Sequence, residues 1–525
     1  MVVGIKGAQG HVALRRRIMN VRYFARLNVV TALVAFGTSL GLNRAIVAQP
    51  GPADAGAGVE VLTRGPVHEA FAETIAFDPQ PGIVVPIAPR EAIEEVPPDQ
   101  RPEGDNVTWI PGYWGWDDDR TDYLWVSGTW RAVPPGRQWL PGYWGSSGQG
   151  YQWTSGYWAD DAISEVEYYP EPPPTIEAGP NIAAPSQDYG WVPGSWVWHQ
   201  GRFAWRPGYW VAAQPNWVWV PARYVWAPRG YVFVEGYWDY SVVRRGILFA
   251  PVYLDPGAYS RPDFHYSPSI VIDLTVFTDH LFVRPNYSHY YFGDYYAVPY
   301  RDRGFYASFS FNSTRHGYDP IYAHHRWEHR NDHNWERGVR SAFRYRRDHE
   351  DARPLRTLAA QVKYRTSGVR STDRSRLFAA SLDQVAKRKE DPIRFRSVAK
   401  EEKQQFTQRR QEVHRFRGDR QQLETSASPA TTEKPSRISE PAKVKLRRSP
   451  IVGKSIDELG KDQAPPKRPD APNPDLKVEP KPRKGAETTR VRRGGGEGKE
   501  SRVRTRAEKG ESKDKEKRNN KPKDK

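Results

Sequence analysis

The stretch WVPGSWVWHQGRFAWRPGYW, residues 191–210, holds two copies of a six-residue unit, W-x-x-G-x-W, starting at Trp191 and Trp205. The unit recurs at Trp109 (WIPGYW), Trp125 (WVSGTW), Trp139 (WLPGYW) and Trp153 (WTSGYW), and in weaker form at Trp219 (WVPARY) and Phe233 (FVEGYW). Successive starts lie 16, 14 and 14 residues apart in the first array and 14, 14 and 14 in the second. Eight copies at near-fixed spacing identify an internal repeat. The unit has no 3.6-residue period, and aromatic and β-branched residues alternate around it, as in FAW (203–205) and WVW (196–198). That is strand chemistry. Between units lie SSGQG, HQGR, AQPN and APRG, which suit hairpin tips. One strand and one turn per unit predicts an antiparallel four-stranded meander for each array.

The Pro-Gly inside each strand needs a reason, because Pro cannot donate to a ladder. A bulge at the Gly would add one residue, restore parity and put both Trp side chains of a unit on one face. A type II turn at Pro-Gly is the competing arrangement. It would cut the strands to a few residues each, so the bulge is favoured.

The rest of the chain is segmented. Residues 1–48 read as an export signal: Arg15 to Arg17, Arg22 and Arg26 precede an apolar run from Leu27 to Leu42, and AIVA (45–48) offers small residues for cleavage. The run is short for a membrane span, which needs about 20 residues. Residues 49–105, rich in Pro, Gly, Ala and acids, read as a flexible linker. Array 1 covers 106–160, a Pro-rich linker 161–188 and array 2 189–240. A Tyr/Phe-rich region of short strands and loops follows over 241–318, with one helical turn near Asp279. Asp319-Pro320 is a helix start, N-cap then N1. Basic helices are expected over 319–422: one to about Arg330, one from about Asp332, and weaker ones at 374–389 and 398–422. A disordered basic tail is expected over 423–525. The fold class is thus mainly β in the head, with short helices and a basic tail.

Charge divides the same way. Residues 49–339 carry 20 Lys/Arg against 34 Asp/Glu, a balance of −14, whereas residues 340–525 carry 52 against 28, or +24. The tail therefore suits an anionic envelope polymer or protein partner, and can also lie on its own acidic head. Mixed charge, with 29 Lys/Arg and 16 Asp/Glu from Thr431 on, argues against nucleic acid. There is no cysteine, which excludes disulfides, thiolate metal sites and a lipid-modified N-terminal cysteine.

Two constellations are candidate sites. The second Trp of each full copy, Trp114, Trp130, Trp144, Trp158, Trp196 and Trp210, could form an aromatic face that stacks sugar rings. The opposing reading makes these residues the core. Each buries about 150–250 Å², about 4–6 kcal/mol at 25 cal/mol/Å², in a head with few other large apolar residues. In AHHRWEHRNDHNWE (323–336), His325 and His329 stand at i, i+4 and could share a metal ion; His333 would join them unless the helix breaks at Asn331-Asp332. The order differs from H-E-x-x-H, because Glu328 directly precedes the second histidine. No nucleophile elbow, phosphate loop or dinucleotide fingerprint is present, and no enzyme activity or cofactor is expected.

The repeats resemble the bacterial W-x-x-G-x-W family, also written YXWGXW, of exported proteins, over about residues 107–240. The resemblance implies export and a repeated β unit, and carries no activity or catalytic residues. Together these readings predict an exported, non-enzymatic envelope protein with a Trp-rich scaffold or adhesion head. The alternative is a carbohydrate- or peptidoglycan-binding module. An exposed Trp-rich sheet edge would also favour self-association.

Overall fold

Consecutive copies of the motif fold in pairs, and each pair makes one long hairpin with a kink halfway along. In the computed structural model, hairpin I pairs Val107–Ile110 with Thr129–Ala132 at its base and Tyr113–Asp117 with Asp122–Val126 at its tip. Hairpin II pairs Arg137–Leu140 with Tyr157–Asp160, then Tyr143–Ser147 with Gly150–Thr154. Hairpin III pairs Tyr189–Val192 with Tyr209–Ala212, then Ser195–His199 with Arg202–Arg206. Hairpin IV pairs Trp217–Val220 with Tyr237–Tyr240, then Arg223–Ala227 with Gly230–Val234. The eight copies thus build four two-copy hairpins, which replaces the expected meanders. The mainly antiparallel β class holds.

The kink is neither a bulge nor a type II turn. Ile110 faces Thr129 and Tyr113 faces Val126, so two residues intervene on each strand and the register crosses the kink unchanged. The other three hairpins do the same. A bulge would have shifted it by one. None of the motif glycines takes the positive φ that a type II turn requires at its third residue. Gly is needed instead because rings lie on it. A Cβ at Gly128 would sit 2.5 Å from Cζ2 of Trp109, and one at Gly112 would sit 2.8 Å from Nε1 of Trp125. Hairpins II and III repeat this diagonal: Trp139 on Gly156, Trp153 on Gly142, Trp191 on Gly208 and Trp205 on Gly194. In hairpin IV, Trp219 lies against Gly236, while the other corner holds Ala222 where the motif has Gly, and Phe233 where it has Trp. Ala222 and Phe233 fall on the same diagonal, and the third departure, Tyr224 in place of Trp, stands opposite Phe233.

Across each hairpin the aromatics stand opposite one another. The eight pairs, from Trp109–Trp130 to Tyr224–Phe233, have ring centroids 5.0–5.3 Å apart, mostly edge to face. This is the favoured geometry for aromatic quadrupoles.

The structure describes residues 58–313, 316–367, 376–388, 393–426, 441–460 and 463–474. All lie in one unit that starts at Pro52; the expected export signal falls outside the described residues. The main core gathers hairpin tips I and II around the Tyr/Phe-rich region. There a four-stranded sheet runs Gly65–Pro66, His289–Phe292, Leu281–Arg284, Tyr306–Ala307. The helical turn expected near Asp279 is present as Leu274–Phe277 followed by Thr278–His280.

The lead-in from residue 58 is irregular, but it is not a loose linker. Val67, Ala70 and Phe71 are fully buried, because the segment threads between the hairpins. The second Pro-rich stretch likewise contributes a strand, Glu165–Tyr169, which pairs with hairpin IV.

The helix at Asp319 begins as expected. The Asp319 carboxylate accepts from the N–H groups of Ile321 and Tyr322, and Pro320–Glu328 is helical. The chain breaks over 329–334 before Trp335–Asp348. Leu358–Thr366 adds a helix, and the expected 374–389 helix shrinks to Leu382–Ala386 behind a strand, Ala379–Ser381. Lys400–Thr425 is the longest helix. Its buried Phe406, Val413, Phe416, Arg420 and Glu424 form one stripe at helical spacing.

Part of the expected tail is folded. Ala442–Lys445 pairs with Glu165–Tyr169. Ser449 to Gly453 then runs along the base of hairpin II: Trp139 N–H donates to Ile451 O (2.9 Å), and Gly453 N–H to Arg137 O (2.8 Å). Ile451 is buried there, an apolar anchor inside a polar segment. Expected residues 475–525 of the tail lie outside the described residues.

Candidate functional site

Each kink turns backbone groups out of the ladder, and these must find partners. At hairpin I the Glu95 carboxylate accepts from Gly112 N–H (2.7 Å), Gly128 N–H (2.8 Å) and the Trp125 indole N–H (3.0 Å). At hairpin II, Glu69 accepts from Gly156 N–H and from the Trp153 indole, both at 3.0 Å. At hairpin III, Glu177 accepts from Gly194 N–H and the Trp191 indole. Three separate irregular segments therefore each deliver one glutamate into a glycine kink. Burial pushes Glu95 up to about 7 and Glu69 up to about 8, against the pull of the N–H donors.

The opposite side of the kink exposes carbonyls, and these meet donors. His68 reaches Pro111 O (3.1 Å) in hairpin I, and the Arg420 guanidinium donates to Pro141 O and Ser155 O (both 3.0 Å) in hairpin II. At hairpin IV, which receives no glutamate at its kink among the described residues, Arg137 and Arg468 donate to Gly236 O. Buried ion pairs then tie the hairpins together. Arg131 of hairpin I binds both oxygens of Asp239 in hairpin IV (2.6 and 2.7 Å), and Asp239 also holds Arg245.

The expected aromatic face is mostly inside. Trp114, Trp130, Trp144, Trp158 and Trp196 are buried, and all nine tryptophans between 109 and 158 are buried with them. Trp210 differs: it is half-buried, as is its partner Trp191. Elsewhere the base pairs are covered. Phe406 packs on Trp130 (5.1 Å), the Ser449–Gly453 segment follows Trp139, and Lys467 O accepts from the Trp238 indole. In hairpin III, Val192 and Val211 pack with hairpin IV, and the Trp191–Trp210 pair borders a cleft of about 830 Å³. Trp327, His329 and Trp335 line the same cleft. Arg330 meets Asp188 (2.9 Å), tying the end of one helix to the approach of hairpin III.

His325 and His329 do meet, with ring centroids 4.7 Å apart, but both pack on Trp335 (5.0 and 4.9 Å). His329 donates from Nδ1 to His325 O, and burial with the neighbouring histidines pushes His325 down to about 4. His333 falls in the helix break and does not share their face. No group of three ligating side chains that could hold a metal occurs among the described residues. The glutamates of the kinks were not legible as site residues, since they lie in segments with no periodicity.

Comparison with protein families finds a match to the WXXGXW repeat (2 copies) over residues 104–131, 188–211 and 215–239. Each matched segment coincides with one kinked hairpin: I, III and IV. Hairpin II has the same geometry without a match. No curated protein and no solved structure matches the chain.

Proposed function

We propose that this chain, which carries the WXXGXW repeat, is an exported, non-enzymatic scaffold or adhesion protein of the cell envelope. The observation behind this reading is the use of the tryptophans. The motif rings face one another across the hairpins, and at three of the four kinks a glutamate of the same chain takes a motif glycine N–H and an indole N–H. A repeat spent on its own core is a building unit. The basic-then-apolar stretch at 1–48 supports export, and the positive charge beyond residue 340 supports contact with an anionic envelope polymer or protein.

Fractionation of cells expressing a tagged chain, with cross-linking before lysis, tests this. The expected outcome is recovery in the periplasmic or envelope fraction, cross-linked to an anionic polymer or a protein through residues beyond 340. Recovery in the cytoplasm would overturn the reading. A second reading, a carbohydrate-binding module, is favoured by one observation alone: the half-buried Trp191–Trp210 pair beside the cleft.

A further inference from the structure

Of the four base-ladder pairs formed between motif tryptophans, Trp191–Trp210 is the one in which neither ring is buried. Its strand neighbours Val192 and Val211 are buried against hairpin IV, so the ladder is anchored on one side and open on the other. Trp210 is held in place by its indole N–H, which donates to Ile182 O (3.0 Å). The cleft it borders, about 830 Å³, is within the size range of small-ligand sites. The far wall adds Trp327, whose indole nitrogen is itself buried. The lining carries three acids, Glu177, Asp332 and Glu336, against two arginines, Arg326 and Arg330, and most of these charges are engaged. Arg330 pairs with Asp188, Glu336 pairs with Arg340, and Glu177 is committed to the kink. Arg326 and Asp332 oppose one another in sign.

Aromatic rings, exposed Arg326 and Asp332, and a wall of little net charge fit a ligand with apolar ring faces and many hydroxyls. We propose that this cleft binds a neutral oligosaccharide, with sugar rings packed against Trp191 and Trp210 and hydroxyl or acetamido oxygens facing Arg326 and Asp332. The inference rests on the carbohydrate reading and not on the scaffold reading, and the two fail separately.

The test is isothermal titration of the chain from residue 49 on with cellohexaose and with chitohexaose. The first offers hydroxyls alone; the second adds acetamido groups. Saturable binding of either sugar is expected. Trp210→Ala should weaken it about tenfold or more, the scale of one lost stacking ring, with a melting temperature close to that of the parent. Should Trp210→Ala lower the melting temperature, Asp332→Ala, at an exposed position, replaces it and should weaken binding as well. Heat from neither sugar, or binding unchanged in both variants, overturns the proposal. Either result leaves the scaffold reading intact, because that reading depends on the buried pairs.

Discussion

Removing the glutamate from one kink should cost more than any exposed acid in the same segment. Glu95 accepts from three buried donors, at 2.7, 2.8 and 3.0 Å. Stranding a buried donor costs about 1–3 kcal/mol, so Glu95→Ala forfeits up to about 9 kcal/mol before relaxation. Two effects reduce this. Burying the acid is itself unfavourable, as its rise to about 7 indicates, and water can enter the emptied space. A net loss of about 3–5 kcal/mol is expected, at the upper end for single substitutions. Glu95→Gln keeps a carbonyl oxygen for Gly128 and Trp125 but turns an amide toward Gly112 N–H, stranding one donor at about 1–3 kcal/mol. Glu94→Ala is the control. Its carboxylate is exposed and meets Arg410 at 3.3 Å, and such pairs contribute about 0–1 kcal/mol. The assay is urea unfolding of the chain from residue 49 on, followed by near-ultraviolet circular dichroism of the tryptophans. The reasoning fails if Glu95→Ala is as stable as Glu94→Ala.

Gly128→Ala places a Cβ 2.5 Å from Trp109 and 2.7 Å from Ile110 O; overpacking of this kind costs about 1–3 kcal/mol, measured by the same unfolding curve. Truncation after residue 474 should leave the midpoint unchanged. Truncation after 440 removes buried Ile451 and the Ser449–Gly453 contacts with hairpin II and should lower stability by about 2–4 kcal/mol. Stability should also plateau at mildly acid pH. His68 and His289 are pushed down from 6.5 to about 3 by burial, so their contribution is lost as pH falls below about 6.5. Glu95 and Glu69 are pushed up from 4.5 to about 7 and about 8, so theirs is lost as pH rises from about 4.5 through 8. The slopes oppose between about 4.5 and 6.5, leaving the fall on the acid side to the histidines and that above 6.5 to the glutamates. Melting temperature against pH reads this, and Glu95→Gln should flatten the neutral side; a steady rise from pH 6.5 to 8 would contradict it.

The period of the repeat, its strand character and the Asp319-Pro320 helix start were readable directly from residue types. The kink was not. Counting along one strand offers a bulge or a turn as the reason for Pro-Gly, because a single strand cannot show that its partner breaks at the same point. What resolves it is the diagonal between a Trp and a Gly 11 to 19 residues away, as in Trp109 and Gly128, visible only once copies pair in twos. The glutamates are harder still. Glu69 serves a kink at Gly156, and nothing local in VHEAFAE announces it. Composition also misled over 49–105 and 441–460, where Pro and charge suggested loose chain. A few buried residues, Val67, Phe71 and Ile451 among them, suffice to pin such segments once hairpins offer a surface.

Hydroxyl-radical footprinting with mass spectrometry, read at each of the 20 tryptophans, tests most directly whether the repeat is core. Protection of Trp109, Trp125, Trp130, Trp139, Trp153 and Trp158, all fully buried, together with oxidation of the half-buried Trp191, Trp210 and Trp335, is the predicted pattern. Equal oxidation of the second Trp in every copy, from Trp114 to Trp210, would contradict it and return the motif to an exposed face.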